Sequence, residues 1–241
     1  MTHPELRGDW HVHSDFSDDA VSSIAENLIA AAEAGLTEIR LTDHVRIGTT
    51  YVPRFLETVA ATPVPSGLTV YTGVEAKILD ANGTLDIPED LVVGPGGVDG
   101  IVIADHQFPG PDGPWKPERA REALAEGWAP EAAIEMLVTA SVRAMEQACG
   151  SAQLAHSFSI LPKIGLDESQ LSDNVLRAWA EAAARTGTAI EVNEKWGCPG
   201  PRAIRAAWSA GARVVASTDS HIASDVGQYQ RVADLFTEAR G

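Results

Sequence analysis

The sequence predicts an α/β fold in which the strands of a parallel sheet alternate with helices. Three observations predict it. Seven short β-like runs alternate with alanine-rich helical stretches along the chain. Gly35, Gly187 and Gly211 stand where helix C-terminal glycines belong, each just ahead of a β-like run. Six of the seven histidines fall at or just beyond the ends of those runs, and His3 alone does not.

Taken in order, the first β-like run covers 6–12 and carries His11, with His13 directly after it. A helix over 22–34 leads to the second run, 37–42, with Asp43 and His44 behind it. A helix over 52–61 precedes the third run, 68–76, in which Glu75 is the charged residue near the end. The fourth run, 100–105, delivers His106, and two helices are predicted at 117–125 and 130–148. The fifth run, 152–156, ends on His156, followed by a helix over 170–186 and a sixth run, 188–193. A helix over 201–210, a seventh run at 212–218 and a last helix over 225–239 complete the order, with Asp219 and His221 just past the seventh run. One domain over 1–241 is expected. Periodicity leaves two closures open, a barrel of the TIM type or a doubly wound open sheet. In a barrel all strand C-termini open on one face, so these polar groups would converge.

Composition narrows the function. At 44% hydrophobic and 22% charged residues the chain can bury a full core. Its two cysteines, Cys149 and Cys198, exclude a disulfide framework and a CxxC zinc knuckle. Lys and Arg total 18 against 34 Asp and Glu, a formal charge of −16 that argues against binding long nucleic acid. The start lacks the pattern of a secretory signal, and no run reaches the roughly 18 apolar residues of a membrane span. The expectation is a cytoplasmic protein with no membrane partner.

The polar residues carry the chemistry. Carboxylates accompany the histidines: Asp9, Asp15, Asp18 and Asp19 near the first run, then Asp43, Glu75 and Asp219. His11 and His13 are two apart, so on a strand both face one side, about 7 Å apart and within reach of one ion. Mixed imidazole and carboxylate donors suit zinc, manganese or iron better than magnesium or calcium. Glu75 has two oxygens and can bridge neighbouring ions. The set offers more donors than one ion needs, which points to a multinuclear centre.

These residues also form an ordered series of motifs: DWHVHSDFSDDA (9–20), LTDH (41–44), GVEAKILDANGTLDIPEDL (73–91), IVIADH (101–106), LAHS (154–157), EVN (191–193) and STDSH (217–221). In this order the chain resembles the polymerase and histidinol phosphatase (PHP) family of metal-dependent phosphoesterases. The resemblance implies a distorted (β/α)7 TIM-like barrel with two to three divalent ions (Mn, Fe or Zn) at the C-terminal mouth of its strands. It assigns His11, His13, Glu75 and Asp219 to one ion, Glu75, His106 and His156 to a second, and Asp19, His44 and His221 to a third. Asp18 is adjacent to Asp19, and the register can slip by one. With no attached polymerase, the resemblance implies a freestanding hydrolase of a small phosphorylated substrate. It would be a histidinol-phosphatase-like phosphomonoesterase or a nucleotide or cyclic phosphodiesterase, using hydroxide generated between two ions.

Other residues have expected roles beside that set. Phosphate calls for cations, and Arg46, Lys77, Lys163 and Lys195 all follow strand ends. Arg46 and Lys195 are the preferred catalytic pair. Asp43 is expected either to orient His44 or to protonate the leaving group. Trp115 and Trp196 lie in two individual loops, 107–120 and 193–201, and are candidates to stack on a substrate ring, with Glu194 a candidate acceptor for a substrate ammonium. Cys198 is expected to be bystander packing. Two rival readings remain, an amidohydrolase-type C–N hydrolase and a non-catalytic metal-binding scaffold.

Overall fold

A computed structural model describes residues 3–241. The strands are β1 (Gly8–Val12), β2 (Glu38–His44), β3 (Thr69–Lys77), β4 (Gly100–Ala104), β5 (Phe108–Gly110), β6 (Gly113–Trp115), β7 (Ala152–Leu154), β8 (Ala189–Asn193) and β9 (Val214–Ser217). Seven of them form one parallel sheet in the order β1-β2-β3-β4-β7-β8-β9, and β5 pairs with β6 as a separate antiparallel hairpin.

The sheet curls until β9 returns beside β1, giving a nearly closed barrel. A single parallel bridge, Val12 to Ser220, closes the seam, with His13 N–H donating to the Ser220 carbonyl at 2.9 Å. Below that bridge a side chain does the stitching. The buried Asp9 carboxylate accepts from Thr218 N–H (2.9 Å), Thr218 Oγ1 (2.6 Å) and Gly227 N–H (3.0 Å). The closed form therefore wins over the open sheet that periodicity also allowed.

Period-two alternation sorts the strand residues into two layers. Ile39, Leu41, Ile101, Ile103, Ile190, Val192, Val214 and Ala216 pack outward beneath the helices. The opposite face lines the barrel. Trp10, Tyr71, Ala189 and Val215 plug it toward the strand N-termini. Above them the filling is polar, where Arg40 NH1 donates to Gln153 Oε1 at 3.0 Å and Gln153 in turn meets Glu191.

The outer helices are α1 (Ile24–Glu33), α2 (Val52–Ala61), α3 (Pro117–Ala125), α4 (Pro130–Gln147), α5 (Ile160–Lys163), α6 (Asp173–Thr186), α7 (Pro201–Ser209) and α8 (Arg231–Arg240). Helix α1 starts on a capping box, in which the Ser23 hydroxyl accepts from Glu26 N–H while the Glu26 carboxylate accepts from Ser23 N–H. Helix α6 ends on Gly187 at φ 69°, a left-handed cap that glycine adopts without a Cβ clash.

All seven sheet strands fall where the sequence predicts them, most with trimmed ends, while β2 runs on to His44 and β3 to Lys77. The run predicted over 6–12 begins at Gly8 because Pro4–Arg7 forms a 3-10 turn. The run over 152–156 stops at Leu154, since His156 leaves the extended region at φ 29°. The helix predicted over 225–239 begins only at Arg231, after a 3-10 turn at Ala223–Asp225 and a Gly227 with φ 70°. The β5–β6 hairpin and α5 were not predicted. Its sequence, FPGPDGPW, reads as loop because proline and glycine dominate it. No helix among the described residues is long and apolar enough to cross a membrane.

Candidate metal centre

At the C-terminal ends of the strands, six imidazoles and three carboxylates meet around Glu75. This residue is the buried inward-facing carboxylate of β3. Its Oε2 lies 2.8 Å from His44 Nδ1, 3.4 Å from His13 Nε2 and 3.5 Å from His11 Nε2. Its Oε1 lies 3.0 Å from His106 Nε2 and 3.2 Å from His156 Nε2. One carboxylate thus touches five imidazoles, three through one oxygen and two through the other. His13 Nε2 also lies 3.4 Å from Asp219 Oδ1.

Toward the rim, Asp19 spans His44 Nε2 (3.4 Å) and His221 Nε2 (3.3 Å) with its two oxygens. Its neighbour Asp18 points elsewhere, 3.8 Å from Arg46. All nine sequence-derived candidates, His11, His13, Asp19, His44, Glu75, His106, His156, Asp219 and His221, are therefore brought together. Three groupings have donor atoms close enough for one ion: His11 with His13 and Glu75, His44 with Glu75 and His106, and His13 with His44 and His221.

The imidazoles are oriented from behind. His11 Nδ1–H donates to Glu191 (3.1 Å), His156 Nδ1–H to Asp105 (3.0 Å) and His221 Nδ1–H to the Asp219 carbonyl (2.9 Å). His13 Nδ1–H donates to Ser17 Oγ at 3.1 Å, and that hydroxyl donates to Asp43 at 2.7 Å. In all four rings Nε2 is left facing the centre, the tautomer a metal ligand needs. His156 and Asp219 sit at φ 29° and 53°, left-handed conformations that are costly for residues with a Cβ and are held here at candidate ligand positions.

Electrostatics reflect the crowding. Burial raises the Glu75 carboxyl, but the imidazoles of His106 and His11 outweigh it and hold it well below the usual range. Burial opposes the charge on His11, while Glu191 and Glu75 hold its pKa well above the imidazole value. Burial pushes the adjacent His13 down to about 4. The two Nε2 atoms stand 3.0 Å apart. His156 is held up to about 10 by Asp105 and Glu75 against its burial.

A divalent ion fits this donor set. The nitrogen and oxygen mixture matches zinc, manganese or iron. Glu75 Oε2 is buried with no hydrogen-bond donor aligned on it, so its lone pairs are open to a cation. The three close groupings all draw on these same residues.

The remaining candidates separate by position. A cleft of about 450 Å³ above the centre is lined by Arg46, Lys77, Gln107, Lys195 and Trp196 together with several of the candidate ligands. Arg46 is largely exposed at the rim, whereas Lys195 Nζ lies 3.3 Å from His221 Nδ1 and 3.7 Å from Asp219. Lys77 pairs with Asp86 at 3.3 Å. Asp43 does not line the cleft and does not touch the His44 ring. Its carboxylate accepts from Ser14 N–H, Ser14 Oγ and Ser17 Oγ, so it acts on His13 through Ser17. The alternation of β2 puts it on the outward face with Ile39 and Leu41.

Trp115 packs with Phe108, Trp128 and Arg119 away from the cleft and pins its own loop. Trp196 does line the cleft, where its Nε1–H donates to Asp219 Oδ2 at 2.9 Å and Lys163 Nζ lies 3.9 Å from its ring centroid. Glu194 is used up as the cap of α8, accepting the N–H groups of Gln230, Arg231 and Val232. Cys198 is partly buried, and burial raises its thiol well above the usual value, away from the reactive thiolate.

Sequence reasoning passed over Ser17, Asp105 and Glu191. Glu191 carried a legible signal as a lone charge between Ile190 and Val192 in a buried strand. Ser17 carried none, because a serine in a polar loop is unremarkable.

Residues 9–195 match the PHP domain family. A probable phosphatase of Acetivibrio thermocellus is 28% identical over 241 aligned residues, covering 95% of this chain and 86% of that protein. A probable phosphatase of Vibrio campbellii is 33% identical over 98 residues, 36% of each chain. Among solved structures, the histidinol phosphate phosphatase of Lactococcus lactis, complexed with zinc, L-histidinol and phosphate, superposes with a TM-score of 0.56. That superposition has 14% identity and covers 97% of this chain and 92% of the other. This likeness shows a shared fold, and the family match rests on the sequence itself: the chain belongs to the PHP domain family.

Proposed function

We propose that this protein is a metal-dependent phosphoesterase that hydrolyses a small organic phosphate at the mouth of the barrel. The observation that carries the reading is Glu75, one buried carboxylate shared by five imidazoles through two oxygens. The names of the relatives, probable phosphatases, support the same reaction class.

In this reading His11, His13, Glu75 and Asp219 hold one ion, Glu75, His106 and His156 a second, and Asp19, His44 and His221 a third. Such ions activate water near neutral pH and offset the charge of phosphoryl oxygens. The chain's own residues do the rest. Arg46, exposed at the rim with only Asp18 3.8 Å away, is free to meet a phosphate oxygen, and a guanidinium fork suits that contact. Lys195 sits over Asp219 and His221, where it can bind a phosphoryl or leaving-group oxygen. Trp196 holds one Asp219 oxygen and leaves the other turned toward His13. A cleft of about 450 Å³ suits a small molecule and not a polymer. The substrate is a phosphomonoester such as a histidinol-phosphate-like compound, or a nucleotide or cyclic phosphodiester. The protein works in the cytoplasm.

The test combines elemental analysis of the purified protein with phosphate release from a panel of phosphomonoesters and cyclic phosphodiesters. Two to three ions per chain with turnover of a panel member is the expected result. Bound ions without turnover of any phosphate ester would turn the reading toward C–N hydrolysis. No ions after reconstitution with manganese, iron and zinc would overturn it.

A further inference from the structure

Glu191 is fully buried beneath the ligand cluster, and its two oxygens gather four donors. Oε2 accepts from His11 Nδ1–H (3.1 Å) and Gln153 Nε2–H (2.5 Å). Oε1 accepts from Asn193 Nδ2–H (2.6 Å) and from the His156 backbone N–H (3.3 Å). The carboxylate is itself anchored, because Gln153 also donates to the Trp10 carbonyl and receives Arg40, each at 3.0 Å. Nothing in this arrangement reaches the open cleft, so Glu191 is not placed to touch a substrate.

The two histidines it holds contact different oxygens of Glu75. His11 Nε2 lies 3.5 Å from Glu75 Oε2, and His156 Nε2 lies 3.2 Å from Glu75 Oε1. His156 needs holding in particular, since φ 29° is unfavourable for a residue with a Cβ and its N–H would otherwise be buried without a partner. We propose that Glu191 is a positioning residue that fixes His11 and His156 against the two oxygens of Glu75, so that a single buried carboxylate sets two metal subsites together. The proposal rests on the metal-dependent reading above.

Cobalt(II) titration of the metal-free full chain tests it, followed by visible absorption and by elemental analysis of the ions retained. Glu191→Gln keeps the shape and removes the charge. It is expected to weaken cobalt binding about 10–100-fold at both subsites and to shift the absorption bands, while the ion held by Asp19, His44 and His221 is retained. Asp105→Asn touches only the His156 side and is expected to weaken one of the two steps. If Glu191→Gln does not fold, Asn193→Ala, which keeps the carboxylate and removes one of the two donors to Oε1, is expected to show a smaller loss on the same two steps. Wild-type affinity and spectrum in the folded variant, or a lowered melting temperature with unchanged cobalt binding, would overturn the positioning role. A wild-type chain that binds no cobalt would overturn the metal centre itself.

Discussion

Ser17 sets two histidines with one hydroxyl. Its oxygen accepts the His44 backbone N–H at 3.1 Å and His13 Nδ1–H at 3.1 Å, and its proton goes to Asp43 at 2.7 Å. Removing it in Ser17→Ala leaves a buried imidazole N–H without an acceptor and lets the ring turn. About tenfold weaker metal binding is expected, read by competition with a chelator. Glu75→Gln is more severe, because it removes a charge shared by five imidazoles. We expect it to lose most bound metal and to lower phosphate release by about 100-fold or more, with the circular dichroism spectrum retained. Arg46→Ala should behave differently. Its side chain is 66% exposed and supports no ligand, so metal content should stay at the wild-type level while kcat/KM for phosphate esters falls about tenfold. Unchanged kinetics would remove Arg46 from the site.

Among the elements, the seam between β9 and β1 is where the barrel depends on side chains. One backbone bridge joins Val12 of β1 to Ser220, just past β9, and the Asp9 carboxylate satisfies three further donors beneath it. Asp9→Ala would leave Thr218 N–H, Thr218 Oγ1 and Gly227 N–H without that acceptor. A loss of about 3 kcal/mol in unfolding free energy is expected, measured by urea denaturation of the metal-free chain. Asp9→Asn, which keeps one acceptor oxygen, should lose less. A variant as stable as the wild type would show that the seam needs no side-chain stitch.

Across the whole molecule, metal binding and protonation compete for the same atoms. Glu75 and Glu191 hold the His11 pKa well above the imidazole value against its burial, and His156 is held up to about 10. Loading with zinc at pH 7 should therefore release protons, visible as a binding enthalpy that changes with the ionisation enthalpy of the buffer. Apparent affinity should rise with pH. Stability of the metal-free chain follows the opposite course. A histidine whose pKa is raised by folding contributes its full stabilisation below about pH 6.5 and loses it as pH rises toward 10. The melting temperature of the metal-free chain should fall between about pH 6.5 and 10, and bound zinc should flatten that slope. A flat profile without metal would contradict the ion pairs described around Glu75.

The sequence by itself determined the order of the seven barrel strands and the main helices, because short β-branched apolar runs such as IVI and VVA and the helix-ending glycines are local signals. Position alone marked the strand-end histidines and a larger group of carboxylates, and the ordered motifs shared with the PHP family narrowed them to nine ligand candidates. The motif resemblance implied a closed barrel where periodicity left it open, but only the tertiary structure shows how the sheet closes, through Asp9 meeting Thr218 across more than two hundred residues. The same held for the groups behind the ligands. Asp43 and Glu75 are both carboxylates near strand ends, yet a one-residue difference in pleat phase turns Asp43 outward to Ser14 and Ser17 and Glu75 inward to five imidazoles. Trp196 and Trp115, alike in the sequence, part company for the same kind of reason: one donates to Asp219 in the cleft, the other stacks in its own hairpin cluster. Residue type and spacing are written locally, whereas a side chain's partner depends on which strands become neighbours.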